Sequence, residues 1–562
     1  MIRLAMLLAS FVVSALGGLL YWAHEGRPHA VPDAGVERAA SISYSPYRPG
    51  ESPLAGIAPT RDEISQDLEA LAGRVEAVRS YTSREGLEDV PRFARPLGLK
   101  VMQGIWLGRE PEVNEREVRD GIELANRYPD VIREVVVGNE VMLRRDLAPE
   151  QLAAYIDRVK SAVKQPVTYA DVWEFWLKNP ELAPHVDFIT IHILPYWEDE
   201  PIAIDHALDH VSAILQKTQA AFPGKRVMIG EVGWPSAGRM REGALPSLAN
   251  EARLLRGFVE FARAKGIEYN LFEAFDEPWK RSLEGTVGGH WGLYDQDRKP
   301  KFALSGPVSN DPHWRAYFAL ATALAGLASL VAAWRRPKLG FPAWLAFAAA
   351  AELLGTLLTL DARFTSEISW LPFDWITGAL GVAANGLLAA LLLRALMAGL
   401  GRERWPEGAL PNAEEALNFL RGRPLAGPTL GERVLGLLQF GFIVAASVAT
   451  VALVVDPRYR DFPSEAFLLP ALGFAALALA RDGAAAAGTG LREEALLTAL
   501  LLLGGLGVLI REGLMRVSVS MIGTNVAWVR RSSRDSPVRP RRQRSLPSAV
   551  SSRSRRAIPG AR

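Results

Sequence analysis

The chain has 562 residues, 49% of them hydrophobic, and a formal net charge of +2 at pH 7. That length exceeds one ordinary domain, and the near-neutral balance gives no electrostatic footprint for a nucleic-acid partner. There is no cysteine, which excludes disulfides, thiolate nucleophiles and cysteine-ligated metal centres.

The first 25 residues hold Arg3 and then a run of roughly 19 uncharged, mostly apolar residues, about enough to cross a bilayer. No small-residue cleavage site follows clearly, so residues 1–25 read as a retained signal anchor rather than a cleaved signal peptide.

From residue 40 short β-rich runs alternate with helical patterns. The runs lie at 40–47, 75–81, 99–108, 133–140, 166–173, 186–197, 226–234 and 268–275. The intervening segments place apolar residues three and four apart. Thr60 with Glu63 reads as a capping box opening the first helix. The second and fifth connections are shorter. Eight strands alternating with helices predict an α/β fold, a (β/α)8 TIM barrel over residues 40–312. The segment after the first strand, "SYSPYRPGESP", lacks the glycine fingerprint of a nucleotide-binding open sheet.

In such barrels the chemistry sits at the C-terminal ends of the strands. Those ends carry Tyr44, Tyr81, Trp106, Asn139, Glu140, Asp171, Tyr196, Trp197, Glu231, Trp234, Glu273, Phe275, Asp276 and Glu277. These are carboxylates and aromatics. His192 alone of the histidines lies near a strand end, so no metal and no cofactor is expected. His192 itself reads as a packed, hydrogen-bonded strand residue, and Asp171 as either a substrate contact or a loop cap.

Glu140 ends the fourth strand and Glu231 the seventh, and the barrel brings both to one mouth. Two carboxylates across a cleft suit glycosidic bond cleavage, one protonating the leaving oxygen while the other attacks the anomeric carbon. The flat faces of Tyr44, Trp197 and Trp234 suit stacking on pyranose rings.

The segments "VVVGNEV", "VMIGEVGWPSAG", "LFEAFDEPWK" and "HWGLYD" together resemble glycoside hydrolase family 17, the β-1,3-glucanases. The likeness spans about residues 40–300. It implies Glu140 as general acid/base, Glu231 as nucleophile of a covalent glycosyl-enzyme, and Asn139 on the sugar 2-hydroxyl. It also implies Glu277 and Lys280 as an auxiliary carboxylate and lysine, and Tyr81 and Tyr196 as cleft-lining residues. Val232 stands where plant members often carry threonine. Glu140 is expected to start protonated beside a charged Glu231.

The second half is a different polymer. Apolar runs at 316–334, 341–360, 374–396, 433–455, 465–480 and 495–510 each approach the length of a membrane helix. They predict an all-α polytopic membrane domain over 315–529, with 514–529 a weaker seventh span. The basic loops 334–338 and 394–433 belong in the cytoplasm by the positive-inside rule. That puts the barrel on the periplasmic or extracellular side of a cell inner membrane. Glu352 and Asn385 inside spans read as interhelical contacts before transport groups. Residues 530–562, rich in Arg, Ser and Pro, predict a basic disordered tail.

Three functions fit. A membrane-attached member of such a family resembles enzymes that remodel β-glucans by transglycosylation, and a polytopic anchor favours this reading. Plain β-1,3-glucan hydrolysis is the alternative, and a non-catalytic glucan sensor or transport component is the third. The membrane half carries no synthase signature, so any glucan synthase acting with it is a separate protein.

Overall fold

A computed structural model describes residues 2–335, 339–401, 421–422, 430–455, 462–480 and 492–512. The expected seventh span at 514–529 and the tail at 530–562 lie outside the described residues.

Eight parallel strands close into one barrel. They are β1 (Ile42–Ser43), β2 (Ala77–Arg79), β3 (Lys100–Ile105), β4 (Ile132–Asn139), β5 (Val167–Val172), β6 (Ile189–His192), β7 (Val227–Val232) and β8 (Tyr269–Leu271). Seven fall inside their expected runs, and β4 begins one residue before its own. Closure comes from Ile42 on β1 pairing with Leu271 on β8. Strands walled by helices outside and by packed side chains inside read as continuous apolar runs, and all six residues of β7 are buried. Met102, Val136, Ala170, Phe188 and Met228 make one cluster on one face of the strands. Their neighbours Val101, Val135, Val137 and Ile229 belong to the larger core shared with the helices. This is the period-two alternation of a strand.

The helix α1 (Ile2–Glu25) precedes the barrel. Four long helices stand in barrel connections after it: α2 (Arg61–Leu71), α3 (Pro111–Arg127), α4 (Pro149–Ala162) and α5 (Ile204–Ala221), with α6 (Leu248–Lys265) after β7. Thr60 and Glu63 form the capping box at α2, Thr60 N–H donating to Glu63 at 2.8 Å. The second and fifth connections carry only short helices, Val90–Ala94 and Trp173–Lys178 with flanking 3-10 turns. The eighth connection differs from the expected pattern. It holds single turns, Pro278–Lys280, Arg281–Glu284 and Thr286–Gly289, because Gly285, Gly288 and Gly289 disfavour a continuous helix. The chain then returns to pair Val308–Ser309 antiparallel with Pro28–His29.

Six further helices follow among the described residues: α7 (Trp314–Arg335), α8 (Phe341–Ile368), α9 (Pro372–Leu400), α10 (Leu430–Val455), α11 (Ser464–Ala480) and α12 (Arg492–Glu512). Among the described residues, five helices are long and apolar enough to cross a membrane, namely Leu4–Glu25, α7, α8, α9 and Arg433–Val455. Shorter apolar stretches, Ser464–Leu477 and Leu496–Gly507, lie in α11 and α12. Leu330, Trp334, Phe373, Leu380 and Leu479 stand exposed on the outside of these helices, a surface that suits lipid rather than water. Helix α8 is the centre, packing against α1, α7, α9 and α11. Gly355 lets it approach α7 closely, since a Cβ there would meet the Ala321 carbonyl at 2.5 Å. Glu352 accepts from Thr322 at 2.8 Å, and Asn385 donates to Asp361 at 2.8 Å and to the Ala466 carbonyl at 2.9 Å. Both are interhelical contacts.

The barrel docks on the end of this bundle where α1 and α8 finish and α7 begins. Arg363 of α8 pairs with Asp311 at 2.9 Å, and Arg281 donates to the Ser369 carbonyl at 3.3 Å.

Candidate active site

Two glycines build the site. On β4, Val136 pairs with Thr168 while Asn139 pairs with Ala170, so β4 holds one extra residue. On β7, Ile191 faces Ile229 while His192 faces Glu231, so β7 also holds one extra residue. Such bulges re-aim the side chains that follow them. Gly138 takes φ +84°, and a Cβ on Gly230 would lie 2.4 Å from the Thr190 methyl. Neither position accepts a side chain without movement. Each bulge is followed at once by a site residue, Asn139 and Glu140 after Gly138 and Glu231 after Gly230.

Glu140 itself adopts φ +54°. Asp171 of β5 holds the turn behind it, accepting from the Met142 N–H at 3.1 Å and the Val172 N–H at 2.7 Å. Asp171 is thus a loop cap. Burial and then the Glu140 charge push its carboxyl up to about 7.

A carboxylate oxygen of Glu140, one of Glu231 and a ring nitrogen of His192 all lie within 4.8 Å of one another. Two anions at about 5 Å repel by about 3 kcal/mol at an effective dielectric of about 20. Two groups offset this. Arg79, fully buried at the end of β2, reaches Glu231 Oε1 at 3.2 Å, the Gly230 carbonyl at 2.8 Å and Asn139 Oδ1 at 2.6 Å. His192 lies between the carboxylates, its Nδ1 2.9 Å from Glu140 Oε1 and its Nε2 3.5 Å from Glu231 Oε1. These three atoms could ligate a cation, yet Arg79 Nη1 already sits 3.3 Å from His192 Nε2 and supplies positive charge there.

Tyr81 Oη lies 2.8 Å from Glu231 Oε1 and 2.8 Å from Ser43 Oγ. Burial, and then the Glu231 charge, raise this phenol well above its ordinary value, so it keeps its proton and donates it to Glu231. Ser43 in turn accepts from Asn270 at 2.7 Å. Burial pushes the Glu140 carboxyl up. The hydrogen bond and charge of His192, with the guanidinium groups of Arg144 and Arg79, outweigh burial and hold it below the usual carboxylate range. That direction runs against the expectation that Glu140 starts protonated, and the imidazole, not visible as a partner in the strand pattern, is the largest cause of the lowering.

The remaining expected residues divide. Lys280 reaches Glu273 at 2.5 Å rather than Glu277. Glu277 instead accepts from the Trp279 indole at 2.6 Å and is fully buried. Burial pushes Glu273 up to about 7 against the pull of Lys280. Tyr196 and Trp234 are 1% and 0% exposed, inside an aromatic cluster with Trp291. They form the wall behind the cleft and present no stacking face. Tyr44 is likewise buried, its ring edge-on to Phe275 at 6.2 Å. Trp197 is half-buried and stacks on Trp291 at 6.3 Å. Arg79, His192 and Glu273 were not singled out as functional from the sequence. The one signal for Arg79 was a cation inside the apolar run "VEAVRSY".

Residues 41–292 match the family described as the BtgE/BtgC glycoside hydrolase domain. A glucan 1,3-beta-glucosidase of Arthroderma benhamiae is 28% identical over 295 residues, 49% of this chain and 93% of that protein. A glucan 1,3-beta-glucosidase of Candida albicans is 27% identical over 266 residues, 42% of this chain and 84% of that protein. Among solved structures, a glycoside hydrolase family 17 beta-1,3-glucanosyltransferase from Rhizomucor miehei is 29% identical. It covers 48% of this chain and 98% of its own, with a TM-score of 0.43.

Proposed function

We propose that the barrel is a glycoside hydrolase family 17 enzyme, a retaining β-1,3-glucan-active catalyst that remodels glucan chains by transglycosylation. The observation that carries this reading is the separation of two carboxylates at one barrel mouth. Glu140 and Glu231 approach within 4.8 Å. That is close to the roughly 5–5.5 Å of retaining enzymes and short of the roughly 6.5–9.5 Å that leaves room for an attacking water.

Glu231 is the nucleophile. Tyr81 and Arg79 both hold its Oε1, which leaves the second oxygen for the anomeric carbon. Glu140 is the acid/base. Its side chain is 23% exposed against 5% for Glu231, as a group meeting both leaving group and acceptor must be. In the first half-reaction Glu140 gives a proton to the glycosidic oxygen while Glu231 bonds to the anomeric carbon. In the second, an acceptor hydroxyl loses its proton to Glu140 and displaces Glu231. Asn139, held by Arg79, meets the sugar 2-hydroxyl. Trp197, the remaining expected aromatic, is half-buried, stacked on Trp291 with Arg241 over its ring. Glu277 and Lys280 support the Glu273 side of the cleft.

The five apolar helices hold this barrel at a membrane, on the outer face by the placement of basic loops. A fixed enzyme acting on glucan passing that face suits transfer over digestion. Hydrolysis is the second reading, favoured by the glucosidase relatives. A non-catalytic sensor has no need of two opposed carboxylates held by an arginine. Incubating the full-length protein with laminari-oligosaccharides separates the readings. Products longer than the substrate support transfer, only shorter ones mean hydrolysis, and no turnover ends the enzymatic reading.

A further inference from the structure

The loops after β7 and β8 meet the end of the helical bundle across a cavity of about 440 Å³. That volume falls within the roughly 300–1,000 Å³ of small-ligand sites. Ser236, Met240 and His290 line it from the barrel, and Tyr21 of α1, Phe364 of α8 and Ser464 of α11 line it from the bundle. The cavity lies beside the catalytic cleft rather than in it, since Glu140, Glu231 and Tyr81 take no part in its lining. One loop divides the two. Met240 faces the cavity, while its neighbour Arg241 donates to the Tyr196 carbonyl at 2.6 Å and lies over the Trp197 ring at 5.3 Å. Lys301 fixes the cavity side of the barrel, donating to Ser236 at 2.8 Å and to Asp276 at 2.9 Å.

The charge pattern selects among ligands. Carboxylates slightly outnumber Lys and Arg side chains among the described lining residues. The cations are already engaged. Arg363 pairs with Asp311 at 2.9 Å and with Glu367 at 2.8 Å, and Lys301 pairs with Asp276 and with Glu251 at 3.2 Å. Arg27 rests on His24, and Arg239 has a partner too. A phosphate would have to break one of these pairs and would meet the carboxylates besides. A neutral sugar breaks none, because each hydroxyl gives a hydrogen to a carboxylate oxygen and accepts one from a guanidinium. The half-buried rings of Tyr21, Phe364 and Phe462 add flat apolar faces for pyranose rings.

We propose that this cavity is a second glucan-binding site, built jointly by barrel and bundle, which holds a segment of β-glucan beside the cleft. The proposal rests on the β-1,3-glucan reading made above. The membrane half is then part of the substrate-binding surface as well as an anchor. Neither half makes the site alone, since the barrel supplies one wall and the ends of α1, α8 and α11 supply the other. A chain held there stays near the cleft between the two half-reactions, which raises the local concentration of acceptor hydroxyls above that of free glucan.

The test is shielding of single cysteines in the full-length protein in detergent. Glu140→Gln is the background, so that laminarihexaose is barely consumed. Ser464→Cys puts a thiol on the bundle wall, Ala237→Cys one on the barrel wall, and Leu54→Cys one on an exposed loop outside both sites. With laminarihexaose at about ten times its Kd, modification by N-ethylmaleimide should slow about tenfold at the two cavity thiols, because only the unbound fraction reacts. Leu54→Cys should react at an unchanged rate. Once Ser464→Cys is modified, titration calorimetry should lose one of two laminarihexaose binding events. Laminarihexaose binding with no protection at Ser464→Cys, and no change after modification, overturns the proposal and leaves the cleft assignment standing. Protection by glycerophosphoethanolamine but not by laminarihexaose marks a lipid-headgroup cradle and overturns it equally. Absence of any laminarihexaose binding takes down the glucan reading and this proposal with it. If Ser464→Cys does not fold, Phe364→Cys of α8 reports on the same wall.

Discussion

Arg79 is the residue on which the site depends most. One buried guanidinium touches Glu231, Asn139 and the Gly230 carbonyl. Removing one partner of a buried ion pair strands the other and costs about 3–5 kcal/mol. Arg79→Met should therefore lower stability in denaturant unfolding by about that amount, and abolish turnover by leaving two carboxylates uncompensated. A loss of less than 1 kcal/mol would show the cluster to be solvated. Tyr81→Phe is the gentler probe. It removes one hydrogen bond to a charged group, worth about 1.5–3 kcal/mol, and should reduce kcat by about 10- to 150-fold while leaving the fold intact. Glu140→Gln removes the transferable proton and should cost about 10²–10⁴ in kcat. Asn139, Glu140 and Glu231 were legible in the sequence because strand-end position and motif coincide there. Arg79 and His192 were not, because an apolar strand run does not say which of its residues faces the barrel axis. Tyr196 and Trp234 had the right strand-end position too, but the turns after β6 and β7 fold them into one cluster with Trp291 instead of opening them to the cleft.

Among the elements, the two bulges do most to shape the mouth. Gly230→Ala places a methyl against Thr190 and should push the β7 end away from β6. The expected outcome is a folded protein with kcat reduced by at least about tenfold, read by comparing its circular dichroism with its turnover. Full activity would mean that the bulge is not what aims Glu231. A second device joins elements at the same end. Lys301 reaches Asp276 at 2.9 Å, Glu251 of α6 at 3.2 Å and Ser236 at 2.8 Å, binding the segments after β7 and β8 to α6. Lys301→Met should cost about 3–5 kcal/mol in unfolding measurements. All eight strands were legible from their apolar runs. The overall alternation of strand and helix was expected, and three glycines interrupt it in the eighth connection. The resemblance set Glu277 and Lys280 side by side as an auxiliary carboxylate and lysine, but Pro278 opens a single turn that carries Lys280 to Glu273.

At the scale of the whole molecule, the barrel and the helical bundle meet at one end, where α1 and α8 finish. The chain contains no cysteine, so single cysteines report side without background. With the barrel outside, Leu54→Cys on an exposed barrel loop should react with a membrane-impermeant maleimide in spheroplasts. Gly401→Cys beyond α9 should react only after permeabilisation. The reverse pattern would invert the proposed topology. Length and composition made the five long helices legible, and their ends fell within a few residues of expectation except at α8. That helix continues to Ile368, where Arg363 and Glu367 make contacts with the barrel.

The central claim is that a sugar is carried on Glu231. A 2-deoxy-2-fluoro laminaribiosyl fluoride slows the second half-reaction and accumulates the covalent species of a retaining enzyme. Peptide mass spectrometry of the full-length protein after this treatment should find one glycosyl group, on the peptide that contains Glu231, with parallel loss of turnover. An adduct on another residue, or continued turnover on natural oligosaccharide with no adduct formed, would contradict the account.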